Sequence, residues 1–172
     1  MKKIYLSFFL SMTCAWALAQ DTTSPVLYES NRIILHFTDT SGKFLQLARI
    51  FIDRGYDIDM KDPELGILRT KPGPLRGGAH FTDQVEIKSI FRDSTITLSG
   101  VTHSQSTGHD WSVYDIKAEV SYSKKRYSNV RLSWEEMEKI AALLQPAFIT
   151  YSRVDVTEKS KKMEGWQYKR NN

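Results

Sequence analysis

Apolar and polar residues alternate from Arg32 to Thr38, which puts Ile33, Leu35 and Phe37 on one side of an extended segment. The period then changes. From Gly42 to Arg54, Phe44, Leu47, Ala48 and Phe51 recur at helical spacing, and Gly55 stands where a left-handed C-terminal cap belongs. Alternation returns as Tyr56, Ile58 and Met60 against Asp57, Asp59 and Lys61, the pattern of a half-buried strand. Asp62-Pro63-Glu64-Leu65-Gly66 reads as a turn, since proline presets one backbone dihedral and glycine permits another. Ile67 to Lys71 is extended again. Pro72 ends it and opens a loop, Pro72-Gly73-Pro74-Leu75-Arg76-Gly77-Gly78.

A three-strand meander is predicted next. Val85, Ile87 and Phe91 face one way in its first strand, and Asp93-Ser94 turns the chain into a second strand carrying Ile96, Leu98 and Gly100. Residues 103 to 110 read as a polar loop. Tyr114, Ile116, Ala118, Val120 and Tyr122 then line one face of a long third strand. In the last helix, Ser133 and Glu136 form a capping box, and Leu132 is placed to staple against Met137. Met137, Ile140, Ala141 and Leu144 make its apolar stripe, and Pro146 stops it. The order is β-α-β-β-β-β-β-α with both helices one-sided. An α+β fold is expected: an antiparallel sheet of about five to six strands with both helices on one face. Phe51, Ile58, Leu98, Ile116 and Ile140 should share its core.

The N-terminus changes where this domain is expected to work. Lys2 and Lys3 precede a mostly apolar run from Ile4 to Leu18, and Ala17-Leu18-Ala19 is a small-x-small cleavage site that would leave Gln20 first. The run is shorter than the roughly 20 residues of a spanning helix, so no transmembrane anchor is expected after cleavage. The reading is an exported chain, periplasmic or extracellular, with residues 1–19 as signal and 20–30 as a flexible segment. Residues 31–154 then form a single domain, and 155–172 a charged tail. The alternative is lipid anchoring through Cys14, although Ser11-Met12-Thr13 matches a lipoprotein signal poorly. Cys14 is the chain's single cysteine, so cleavage leaves no disulfide, thiol chemistry or thiolate site.

Charge narrows the partners. The chain holds 24 basic and 20 acidic residues, but Lys2 and Lys3 leave with the signal, and Lys159, Lys161, Lys162, Lys169 and Arg170 belong to the tail. The body between is balanced. A nucleic-acid partner would call for a basic face, and none is expected.

Two motifs are incomplete. Ser41-Gly42-Lys43 between strand and helix lacks the glycine and hydroxyl residue of a phosphate loop, because Phe37 and Phe44 stand there. Asp57, Asp59, Asp62 and Glu64 lack the ligand spacing and central glycine of a calcium loop. The histidines are the remaining chemistry. In an antiparallel meander the loop holding His80 and the loop holding His103 and His109 fall at one edge of the sheet, beside Asp83, Asp110 and Trp111. Imidazoles and carboxylates so grouped suit zinc or acid–base work, but no HExxH motif or nucleophile elbow accompanies them. His80, His103, His109, Asp110 and Trp111 are therefore read as a binding edge, with Trp111 as anchor.

The run Phe44-Leu-Gln-Leu-Ala-Arg-Ile-Phe-Ile-Asp-Arg-Gly-Tyr-Asp-Ile, followed by Lys61-Asp-Pro-Glu-Leu-Gly-Ile-Leu, resembles small exported bacterial domains with a fold like that of the TATA-box-binding protein. Outer-membrane-assembly lipoprotein modules share the general design. The resemblance spans about residues 31 to 146 and implies fold and compartment, with no catalytic residue or cofactor. DNA binding does not follow from it. The helix-free face is expected to carry Asp57, Asp59, Lys61, Glu86, Lys88, Arg92, Asp115, Lys117 and Glu119, mixed in sign and without aromatics. The function expected is a non-enzymatic binding or assembly module of the cell envelope, for an unidentified envelope protein or small ligand. The alternative is a metal-dependent or hydrolytic enzyme using the loop histidines.

Overall fold

The structure is a computed structural model that describes residues 23–75, 83–107, 113–125 and 128–154. Strand β1 (Arg32–His36) leads to helix α1 (Lys43–Asp53), then β2 (Ile58–Asp62) and β3 (Ile67–Thr70). A two-residue strand β4 (Gly73–Pro74) follows, then β5 (Gln84–Arg92), β6 (Thr95–Thr107) and β7 (Val113–Glu119). Helix α2 (Asn129–Leu143) and strand β8 (Phe148–Ser152) complete the described chain. The fold is α+β, as the pattern of periods predicts.

The described strands belong to one antiparallel sheet in the order β2-β3-β5-β6-β1-β8, with β4 and β7 joined to it at its sides. β6 is its longest strand. β5 pairs with it from Thr95 to His103 on one side. On the other, β1 pairs with Thr95 to Leu98 and β7 with Val101 to Thr107, so β1 and β7 lie end to end along it. β4 likewise continues the line of β3 along β5.

Pairing register carries the sheet's inner face across the strands. Leu68 opposes Ser89, Ser89 opposes Leu98, and Leu98 opposes Ile33. The helices cover this face with Leu47 and Phe51 from α1, Trp134, Met137 and Ile140 from α2 and Leu144 just after it, all essentially inaccessible to water. Two polar side chains in this face have partners: the Ser89 hydroxyl donates to the Leu68 carbonyl, and the Thr70 hydroxyl accepts from the Ile87 amide. An ion pair joins the helices. Arg54, which caps α1, makes two 2.6 Å hydrogen bonds to the Glu136 carboxylate, whose side chain is 5% exposed.

Several local signals act as expected. Gly55 (φ 87°) and Gly66 (φ 65°) adopt the left-handed conformation, and Asp93 (φ 46°) turns β5 into β6. Gly42 precedes α1 with no side-chain cap.

Five expectations change. Helix α2 begins at Asn129, not after Ser133, and the Ser128 hydroxyl caps it by accepting from the Arg131 amide at 3.2 Å. Ser133 is buried inside the helix without a hydrogen bond, and Glu136 turns to Arg54 instead of closing a box. Residues 103 to 107 are strand, because β7 pairs with them. Ile116 is 51% exposed: it lies on the helix-facing side, opposite Ser104, on β7, which among the described residues has no strand on its far side. Ile58 is half-buried and Met60 is 40% exposed, since β2 is an edge strand with a bulge between them. The bulge also puts Lys61 opposite the inner residue Leu68, off the open face. Finally, β8 adds a strand beside β1, bringing Phe148 next to His36 on the open face, with rings stacked 4.1 Å apart. That face is not free of aromatics.

The helix start yields a test. Ser128→Ala should cost about 1 kcal/mol through loss of the cap. Ser133→Ala should be neutral or mildly stabilising, because it removes a buried hydroxyl with no partner. Thermal unfolding of the two variants checks this; a larger loss at Ser133 would restore the capping box.

Candidate functional site

Of the five residues expected at the binding edge, the structure describes His103 alone. His80, His109, Asp110 and Trp111 lie outside the described residues. His103 sits within β6, paired with Gln84 of β5 and Lys117 of β7. Its Nε2 lies 3.5 Å from Glu86 Oε2 without a hydrogen bond. Glu86 is itself 3.9 Å from Arg69, which also pairs with Asp59. His103 thus belongs to a charged row on the open face, not to a loop. Asp83, at the start of β5, is buried and accepts a 2.8 Å hydrogen bond from Asn129, which also donates to Ser104. These bonds fix the N-terminus of α2 over the end of the sheet. Among the described residues, no three of His, Cys, Asp or Glu are grouped to hold a metal ion.

A different site lies on the outer flank of α2. Arg131, Trp134, Glu135 and Glu138 recur at i, i+3, i+4 and i+7, a spacing that sets them on one side of the helix. Facing them is the segment Tyr122-Ser123-Lys124, which follows β7. Its backbone is held on the other side by the N-terminal segment: Tyr28 donates to the Tyr122 carbonyl and Tyr122 to the Ser30 carbonyl, both at 2.8 Å. Between the two runs a groove of about 460 Å³ remains.

Aromatic rings form its inner wall. Trp134 lies between Tyr122 and Tyr151, with each pair of ring centroids 5.9 Å apart. Such tilted pairs favour the edge-to-face electrostatics of aromatic quadrupoles. Trp134 is 1% exposed, and its indole N–H is buried with no acceptor among the described residues. Burial, the negative charge of Glu138 and a hydrogen bond to Glu138 hold the Tyr151 phenol above its ordinary pKa. The rim carries both signs. Arg131 donates to Glu135 at 2.6 Å, while Lys124 and Glu138 supply one further charge of each kind.

The arrangement is suited to binding. It offers the half-buried Tyr122 ring and rim charges of both signs, features that suit a ligand or peptide cleft. The sequence carried a signal for it in the spacing of Arg131, Trp134, Glu135 and Glu138. Starting the helix at Ser133 hides that signal, because Arg131 then falls outside it.

Fold and groove together define an α+β domain with a helix-flank cleft. No known protein family, characterised protein or solved structure matches the chain.

Proposed function

We propose that this chain is an exported, non-enzymatic binding or assembly domain of the cell envelope, which holds an envelope protein or small ligand in the groove beside α2. The observation that carries the reading is the groove of about 460 Å³ itself, lined by Tyr122, Lys124, Arg131, Glu135 and Glu138 with charges of both signs at its rim. Lys2, Lys3, the apolar run from Ile4 to Leu18 and Ala17-Leu18-Ala19 support export to the periplasm or beyond, with Cys14 lipidation as the other route to the envelope. The likeness to exported domains of the TATA-box-binding-protein type belongs to the same proposal. Nucleic acid is not the proposed partner. Arg32 and Arg69 of the open face are already matched by Glu119 and Asp59, which leaves little excess positive charge.

The test is a pull-down from the envelope fraction with the wild-type chain and Glu138→Lys, which reverses a charge at the rim of the groove. The expected result is a partner retained by the wild type and weakened at least tenfold in a variant whose circular dichroism is unchanged. Equal retention by both would remove the groove from the account. Stoichiometric zinc in the purified protein would favour the histidine-based enzyme instead.

A further inference from the structure

The strand path from β2 to β8 ends in two edge strands that differ in kind, while β7, paired with β6 alone, is a further edge that carries Asp115, Lys117 and Glu119. At one edge, β2 is broken by a bulge between Ile58 and Met60, carries Asp59, Lys61 and Asp62, and is followed at once by Pro63. Bulges, charges and prolines are the devices that keep a sheet edge from pairing with another chain. At the other edge, β8 has none of them within the strand, and Arg153 follows it. Phe148-Ile149-Thr150-Tyr151-Ser152 contains no charge, proline or glycine, and all five residues pair with β1 in unbroken register. Among the described residues, no strand lies on its far side.

We infer that two copies of this chain join edge to edge through β8, making one continuous antiparallel sheet across a two-fold axis at Thr150. The inference stands independently of the groove. An antiparallel strand that pairs with its own copy in full register places Thr150 opposite Thr150, Ile149 opposite Tyr151, and Phe148 opposite Ser152. On the open face the Phe148 ring, 56% exposed and stacked on His36, comes to lie against the copy's Ser152. On the helix side Ile149 meets Tyr151 twice, an aromatic–β-branched pairing that stabilises sheets. No charge is set against a like charge, so nothing in the strand opposes self-pairing.

Closure follows from the contrast between the edges. Joining β8 to β2 of the next copy would give an open-ended array, and the β2 bulge and charges obstruct it. Joining β8 to β8 uses the same patch twice and stops at two. A five-residue strand pair buries less than a standard interface, so the association is weak and concentration-dependent.

The test uses the full chain carrying Cys14→Ala, in which an introduced cysteine is the only one. Opposed residues of an antiparallel pair have Cα atoms about 4.5–5.5 Å apart, within the range a disulfide spans. Under mild oxidation Thr150→Cys should give a dimer that reductant splits. Because Thr150 is nearly buried and hydrogen-bonded to His36, a second pair of variants makes the result independent of that site. Phe148→Cys mixed with Ser152→Cys should cross-link at least tenfold faster than either variant alone, while Lys61→Cys on the β2 edge should not cross-link. Sedimentation of the Cys14→Ala chain should show a doubling of mass, abolished by Phe148→Lys. Cross-linking of the mixed pair no faster than Lys61→Cys, or a monomer at every concentration, would overturn the inference.

Discussion

Arg54→Ala is expected to lower stability by about 3–5 kcal/mol, the usual cost of removing one partner from a buried ion pair. The loss comes from what stays behind. Glu136 is anchored in the middle of α2, 5% exposed, and both of its oxygens accept from the Arg54 guanidinium. With the guanidinium gone, the Tyr56 hydroxyl at 3.4 Å is a long contact and no replacement for two charge-assisted bonds. Charge burial raises the cost in the same direction as the lost attraction, because the carboxylate must either shed its charge or draw in water. For a domain of this size the melting temperature should fall on the order of 10 °C. Arg54→Met with Glu136→Leu separates the two contributions. If the stranded carboxylate dominates, the double variant recovers most of the stability that Arg54→Ala loses. A double variant as unstable as the single would show that the ion pair itself holds α1 to α2.

The second large effect is a contrast within the sheet. Leu98→Ala should cost about 2–5 kcal/mol, whereas Ile116→Ala should stay within about 0.5 kcal/mol. Both residues lie on the helix-facing side. Leu98, in the middle of β6, pairs with Ile33 and Ser89 and is fully buried. Truncating it leaves a cavity that neighbouring strands and α2 cannot collapse to fill. Ile116 sits on the edge strand β7, and half of it meets water. Denaturant unfolding of both variants is the measurement. A comparable loss at Ile116 would mean that another surface covers the hairpin, as a bound partner or a second copy would.

That contrast also marks how far the sequence could be read. Periodicity identified which side of each element is apolar, and it placed Leu98 and Ile116 correctly on the same side. It carried no information on whether a helix lies above them. The capping box at Ser133 fails for a related reason. Ser-x-x-Glu is a local pattern, but Asn129, which bonds to Asp83 and Ser104, adds a turn before it. Glu136 meanwhile finds a stronger partner, 82 positions away in the chain. β8 escaped notice because its two sides are similar: Ile149 and Tyr151 face the helices, and Phe148 and Thr150 face out beside His36. A strand at the rim, half-covered on both faces, shows no clean alternation.

The binding edge illustrates the same limit. Antiparallel geometry brings Gln84 and His103 together as the meander requires. Yet it makes His103 a strand residue beside Glu86 and Lys117, a row set by register across three strands. The groove beside α2 needs still more: residues from the segment after β7, one flank of α2, and Tyr151 of β8 behind them.

By itself, then, the sequence determined the features whose causes lie within a few residues. The left-handed turns at Gly55 and Gly66, the strand and helix periods and the apolar stripe of α2 all follow from local dihedral freedom and side-chain spacing. Only the tertiary structure decided how much of each apolar side is covered, where α2 begins, which strand closes the edge beside β1, and where aromatic and charged residues converge into a groove. Those outcomes depend on contacts between distant segments, and the free energy of such a contact exists only once both partners are in place.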